Sequence, residues 1–162
     1  MCELLAARHG TTWVHVYGRD HTVDKLRAGT NDHWTTEDFV VIARRQVELE
    51  DAAAGRARRY LFCDTDALAT ALWHERYLGL PSPEVESIAA THRYSLYVLC
   101  DIDVPFVHDG VRFDPTARPR MHTRFVEALN ARPEPWILVS GTLEERLGRI
   151  DADLDRRFGE GY

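Results

Sequence analysis

A chain of 162 residues with 44% hydrophobic and 28% charged residues has the composition of one ordinary globular domain, long enough to bury a core. Its formal charge of -6 argues against a surface that neutralises many phosphates, which excludes a broad nucleic-acid-binding face but still allows local arginines to hold a small anion. No apolar run approaches the roughly 18 residues that mark a membrane span. Met1-Cys2-Glu3-Leu4-Leu5 has neither a basic region nor a cleavage-type segment, so a soluble, cytoplasmic protein is expected.

Taken in chain order, Cys2 to Arg8 reads as the last turns of a helix with no cap ahead of it and Gly10 as its stop. Thr11 to Tyr17 is β-branched and aromatic enough for a strand, broken by Gly18-Arg19-Asp20, and residues 20–34 read as a loop or short irregular helix. A long helix starts at Thr35, with Glu37 and Asp38 in its first turn and Phe39, Ile42, Ala43 and Val47 as its inner stripe, and ends at Gly55. Tyr60 to Cys63 predicts a strand buried on both faces, followed by a helix from about Asp66 to Tyr77 that Gly79 and Pro81 close. Ser82-Pro83-Glu84 opens a short helix to about Thr91. Ser95 to Cys100 predicts another buried strand, ending in Asp101 and Asp103. Val104 to Arg120 contains three prolines and Gly110 and reads as a long loop, with a helix over Phe125 to Leu129 after it. Trp136 to Ser140 is a last strand, Thr142-Leu143-Glu144-Glu145 is a capping box, and 156–162 reads as a tail to a domain spanning 1–155.

Strands alternating with helices imply βαβ units and a parallel sheet. Cys2, Cys63 and Cys100 are too scattered for a disulfide framework and read as reduced thiols, Cys63 and Cys100 packing as small hydrophobes at strand ends. The eight histidines form no H-x-x-x-H pair, which argues against structural zinc.

Asp64-Thr65-Asp66 stands where an open α/β sheet binds ligands, at the carboxyl end of a strand. It has three readings. Asp66 or Thr65 simply caps the next helix. Alternatively, Asp64 holds a magnesium ion or its water, or takes the proton of an acceptor hydroxyl, in phosphoryl transfer. As a third reading, Asp64 and Asp66 are nucleophile and acid/base of a dehalogenase-like phosphatase, which fits least because the sole lysine, Lys25, lies upstream. His108-Asp109-Gly110-Val111-Arg112, with Arg118, Arg120 and Arg124, is either solvated charge or a lid that closes on polyphosphate. Tyr17-Gly18-Arg19 is either a turn or the means of bringing Arg19 to the same edge as Asp64. Ser140-Gly141 lacks a G-x-S-x-G elbow, and no Rossmann fingerprint is present.

Together, Thr11-Thr12-Trp13 through Tyr17-Gly18-Arg19, Asp64-Thr65-Asp66, Trp73 to Gly79, Asp103-Val104-Pro105 through Arg112, and Ser140-Gly141 with Glu145-Arg146-Leu147 resemble the NadR-type ribosylnicotinamide kinase domains, P-loop NTPases, collinearly over nearly the whole chain. The resemblance implies a P-loop nucleoside kinase fold that moves the γ-phosphoryl of ATP to nicotinamide riboside with Mg2+. It implies Asp64 and Asp66 near metal and acceptor hydroxyl, Tyr17 and Arg19 lining the acceptor side, and Asp109 and Arg112, as substrate-binding residues, at the loop between acceptor and lid; on the lid reading above, Arg118, Arg120 and Arg124 face the nucleotide. Many relatives carry a glutamate before Tyr-Gly-Arg, where this chain has Val16.

The family's first strand and G-x-x-x-x-G-K-[ST] loop have no counterpart in residues 1–162, and Cys2 to Arg8 looks like the helix that follows that loop. The expected fold is therefore a parallel α/β sheet lacking its first strand, with exposed sheet edges that invite self-association. The expected function is NAD-salvage phosphorylation of nicotinamide riboside by the complete domain, this chain alone being inactive. The alternative is a non-catalytic binding or regulatory module that keeps only the acceptor pocket.

Overall fold

The computed structural model describes residues 1–30, 33–105 and 116–159, and the chain divides into two compact units, Met1–Arg93 and Tyr94–Tyr162. In the first, α1 (Cys2–Arg8), β1 (Trp13–Val14), α2 (Tyr17–Ala28), α3 (Thr36–Ala54), β2 (Phe62–Cys63), α4 (Ala67–Leu78) and α5 (Pro83–Ala89) follow one another. Strands β1 and β2 pair in parallel, Trp13 opposite Phe62 and Val14 opposite Cys63. The pairing continues one residue further, where the Asp64 N–H donates to the Val14 carbonyl at 2.8 Å.

The core of this unit lies among α3, α4 and α5. Phe39, Val40 and Ala43 pack with Ala67, Ala71, Val85 and Ala89, and Trp34, Val47, Trp73 and Ile88 cover the cluster. Small residues on α4 and α5 let the helices approach closely, and the larger side chains of α3 fill the space between. His74 is buried beside this core and joins two segments, its Nδ1 donating to the Leu80 carbonyl at 2.9 Å and its Nε2 accepting from the Thr36 hydroxyl at 3.0 Å.

Helix α3 has the cap expected at Thr35 and, beyond it, a full capping box with Asp38. The same carboxylate holds α2, accepting from His21 at 2.9 Å and from Lys25 at 3.1 Å. Burial pushes the Asp38 carboxyl up, but the bonds from His21, from the Thr35 N–H and hydroxyl and from Lys25 outweigh it and hold it at about 2. A depressed folded value means stability that is complete above the unfolded value of 3.8 and lost as pH falls through about 2. Acid unfolding followed by circular dichroism should show that loss in the wild type. In Asp38→Asn it should be missing.

Residues 20–34 are a correction. Tyr17–Ala28 is a regular helix closed by Gly29 in the left-handed conformation at φ 69°, and Gly18 lies inside it. None of its residues is buried. With no apolar stripe there was no periodicity to find, and polar ties to α3 hold the helix instead.

The second unit contains β3 (Tyr97–Cys100), α6 (Ala117–Asn130), β4 (Trp136–Val139) and α7 (Leu143–Phe158). Strands β3 and β4 pair in parallel from Tyr97 opposite Trp136 to Cys100 opposite Val139. Leu147, Ile150 and Leu154 form the buried stripe of α7. Three expectations change here. Helix α6 starts at Ala117, so Arg118, Arg120 and Arg124 lie on a helix; Pro119 sits in its first turn, where no N–H is needed, and had looked like loop. Helix α7 runs through Phe158, into the stretch read as a tail. The strands β2 and β3 are only half-buried and Cys100 is exposed, since each described sheet has two strands and each strand one neighbour. Among the described residues no helix is long and apolar enough to cross a membrane.

Candidate functional site

The site in the first unit is built on the adjacent carboxyl ends of β1 and β2. From β1 the chain passes through His15 and Val16 and starts α2 at Tyr17, which puts Tyr17 and the exposed Arg19 in the first turn of that helix. From β2 it passes through Asp64 and Thr65 to Asp66, the N-cap of α4. Two twelve-residue helices thus begin beside each other at one sheet edge, and their N-termini favour negative charge there.

The three residues of Asp64-Thr65-Asp66 differ in environment. Asp64 is exposed, its backbone tied into the sheet and its carboxylate left at the surface. Asp66 is buried and its Oδ1 accepts from the Ala69 N–H at 2.8 Å, so the capping role read in the sequence is present. Thr65 between them has φ 70°, the one non-glycine in the left-handed region among the described residues, which a β-branched side chain adopts only under constraint. Thr65 is exposed, so Thr65→Gly removes strain without opening a cavity and should raise the unfolding free energy by about 1 kcal/mol. A chemical denaturation series measures this.

The neighbouring Cys63 thiol is disfavoured as a nucleophile. Burial, then the charges of Glu50, Cys2 and Asp66, push the Cys63 thiol far above its ordinary value, so it stays protonated. Lys25 is committed to Asp38, which removes the chain's one lysine from any phosphatase-like role beside Asp64.

Arg118, Arg120 and Arg124 belong to the second unit. Arg118 donates to the Val104 carbonyl at 2.6 Å, Arg124 faces Glu127 at 3.7 Å, and Arg120 is exposed. Asp109 and Arg112 lie outside the described residues. In the same unit the carboxyl ends of β3 and β4 are joined by Arg146, a buried residue of α7. Its guanidinium donates to the carbonyls of Gly141 at 2.9 Å, Val139 at 3.2 Å and Asp101 at 3.4 Å, and pairs with Asp103. Asp103 also accepts the Gly141 N–H at 2.5 Å, and that bond, with Arg146, holds its carboxyl below the usual range. Glycine suits position 141, since at φ 87° any other side chain is strained and an added Cβ would displace the Glu145 carboxylate.

Neither the Arg146 network nor the Gln46–Glu50 pair of α3 was assigned a role from sequence, although a signal existed. Arg146, Gln46 and Glu50 fall on the buried stripes of their helices, where a polar residue has to be satisfied by the fold.

Among the described residues no group of three or more His, Cys, Asp or Glu could hold a metal ion. A magnesium ion in a phosphoryl-transfer site usually takes only one or two carboxylates, the rest being water and phosphate, so the exposed Asp64 fits that need. Residues 1–162 contain no G-x-x-x-x-G-K-[ST] sequence.

Comparison with known structures gives the fold class first. The chain matches NadR in complex with NR with a TM-score of 0.78 at 18% identity, covering 99% of this chain and 48% of that one. It matches NadR in complex with NAD and AMP-PNP with a TM-score of 0.71 at 16% identity, covering 99% and 46%. The fold is thus the α/β P-loop kinase type. Among sequences, the AAA domain model matches residues 1–146, and the chain belongs to that family. It is 31% identical over 108 residues to the trifunctional NAD biosynthesis/regulator protein NadR of Escherichia coli (strain K12), over 67% of this chain and 26% of that protein. The Salmonella typhimurium protein of the same name gives the same figures, so the chain spans about a quarter of the length of these relatives.

Proposed function

We propose that the carboxyl edge of β1 and β2 binds a nucleoside, nicotinamide riboside, as the phosphoryl acceptor of an ATP-dependent kinase of NAD salvage in the cytoplasm. The observation that carries this is the placement of an exposed carboxylate, Asp64, on a strained turn at the strand end where Tyr17 and Arg19 open α2. Similarity to NadR, one of whose solved structures holds NR, supports the choice of acceptor.

In this reading Tyr17 and Arg19 line the acceptor side; an acceptor role for Asp109 and Arg112 and a nucleotide role for Arg118, Arg120 and Arg124 are proposed from the sequence alone. Asp64 orients the acceptor hydroxyl and accepts its proton, or holds Mg2+, which when bound neutralises charge on the transferring phosphoryl. Asp66 fixes the start of α4 and so the height of Asp64 above the sheet edge. Lacking a phosphate cradle, the 162-residue chain binds the acceptor without turning it over. Incubation with nicotinamide riboside, ATP and Mg2+, read by phosphorylated product, should give none. Robust turnover by this chain alone refutes the division between acceptor and donor sites.

A further inference from the structure

We propose that Gln46 is a positioning residue for the acceptor side of the site, fixing where α2 begins and therefore where Tyr17 and Arg19 stand. This deepens the functional reading above and rests on it for the identity of the ligand.

A helix start leaves four N–H groups without intrahelical partners, and a polar side chain at the N-cap normally takes one of them. Here the N-cap is Val16, which has no such atom, and no side chain of α2 caps it. The cap comes from another helix: the Tyr17 N–H donates to Gln46 Oε1, on α3, at 3.0 Å. The Arg19 N–H donates to the Val16 carbonyl at 3.2 Å, so the turn carrying Arg19 hangs from the same start.

Gln46 is 1% exposed, and a terminal amide can face either way. Glu50, one turn along α3 and 3% exposed, accepts from Gln46 Nε2 at 3.0 Å. A carboxylate only accepts, so it draws the amide nitrogen to itself and leaves the oxygen turned to Tyr17. Core packing alone calls for neither residue at this depth, since an apolar side chain would fill the stripe of α3 with no polar group to desolvate. What the pair supplies is a fixed donor–acceptor sequence ending on the first residue of α2.

The test uses the whole chain and two readouts, hydrogen exchange at the Tyr17 amide and affinity for nicotinamide riboside. Gln46→Met should speed that exchange and weaken binding, each about tenfold, the value of one lost buried hydrogen bond. In a background carrying both Tyr17→Ala and Arg19→Ala the same change should leave affinity where that background set it. Glu50→Gln, which frees the amide to flip, should shift both readouts in the same direction by less, and it replaces Gln46→Met if that variant does not fold. Unchanged exchange at the residue 17 amide overturns the proposal, as does an affinity loss that merely adds to that of the Tyr17→Ala, Arg19→Ala background, and Gln46 is then a core residue only. If the wild type binds no nicotinamide riboside, the functional reading fails by itself, and Tyr17 exchange alone decides whether Gln46 sets the start of α2.

Discussion

Arg146→Ala is expected to destabilise the second unit by about 2 kcal/mol, within the range for leaving hydrogen-bond acceptors without their buried donor. The ion pair itself adds little to this, because Asp103 is exposed and water screens its charge, while the Arg146 side chain keeps only 6% of its surface in water. Deletion of the guanidinium leaves the carbonyls of Gly141, Val139 and Asp101 without their donor at the ends of two strands. Arg146→Lys should recover less than half of the loss, since one ammonium cannot reach the same set of acceptors as a planar fork. In the double variant Arg146→Ala with Asp103→Ala the orphaned carboxylate is gone, so its cost should be smaller than the sum of the single ones. Denaturant melts with amide exchange on Tyr97–Cys100 and Trp136–Val139 would measure all of these. Because Asp103 is depressed in the folded state, its share of the stability is present above the ordinary carboxylate range and is lost as pH falls through its lowered value.

The largest functional effect is expected at Asp64. In a fusion that joins a strand and a G-x-x-x-x-G-K-[ST] loop ahead of Met1, Asp64→Asn should lower the rate of phosphoryl transfer about 10²- to 10⁴-fold, the usual range for losing an acid–base group. The fold should hardly notice. Asp64 is exposed, and its structural bond is made by the backbone N–H, so stability should stay within about 0.5 kcal/mol. Asp66→Asn should behave in the opposite way to an acid–base lesion, because asparagine caps a helix as well as aspartate does. Equal loss of activity in both variants would show that Asp66 touches the reacting groups. A fusion in which Asp64→Asn keeps full activity would remove Asp64 from the chemistry.

Much of this fold was legible because several elements carry local signals that agree with their packing. Thr35, Asp66, Ser82 and Thr142 each cap a helix where the sequence placed a cap, and Gly79 closes α4 in the left-handed conformation. What could not be read was decided by tertiary contact. Helix α2 has no buried face and is tied down by Asp38 and Gln46 from α3, residues 13 to 29 positions away along the chain. The start of α6 was hidden by Pro119, which looks like loop in a sequence and is harmless in a first turn. At the candidate site, Asp64 was singled out because two carboxylates after an apolar run are conspicuous. The strain at Thr65 was not visible, since nothing about a threonine announces a positive φ.

The measurement that bears most directly on this account is a pair of calorimetric titrations of the 162-residue chain, one with nicotinamide riboside and one with ATP and Mg2+. The account predicts saturable binding of nicotinamide riboside, weakened by Arg19→Ala, and no comparable binding of ATP. Binding of ATP without nicotinamide riboside, or of neither, contradicts an acceptor site at the carboxyl ends of β1 and β2.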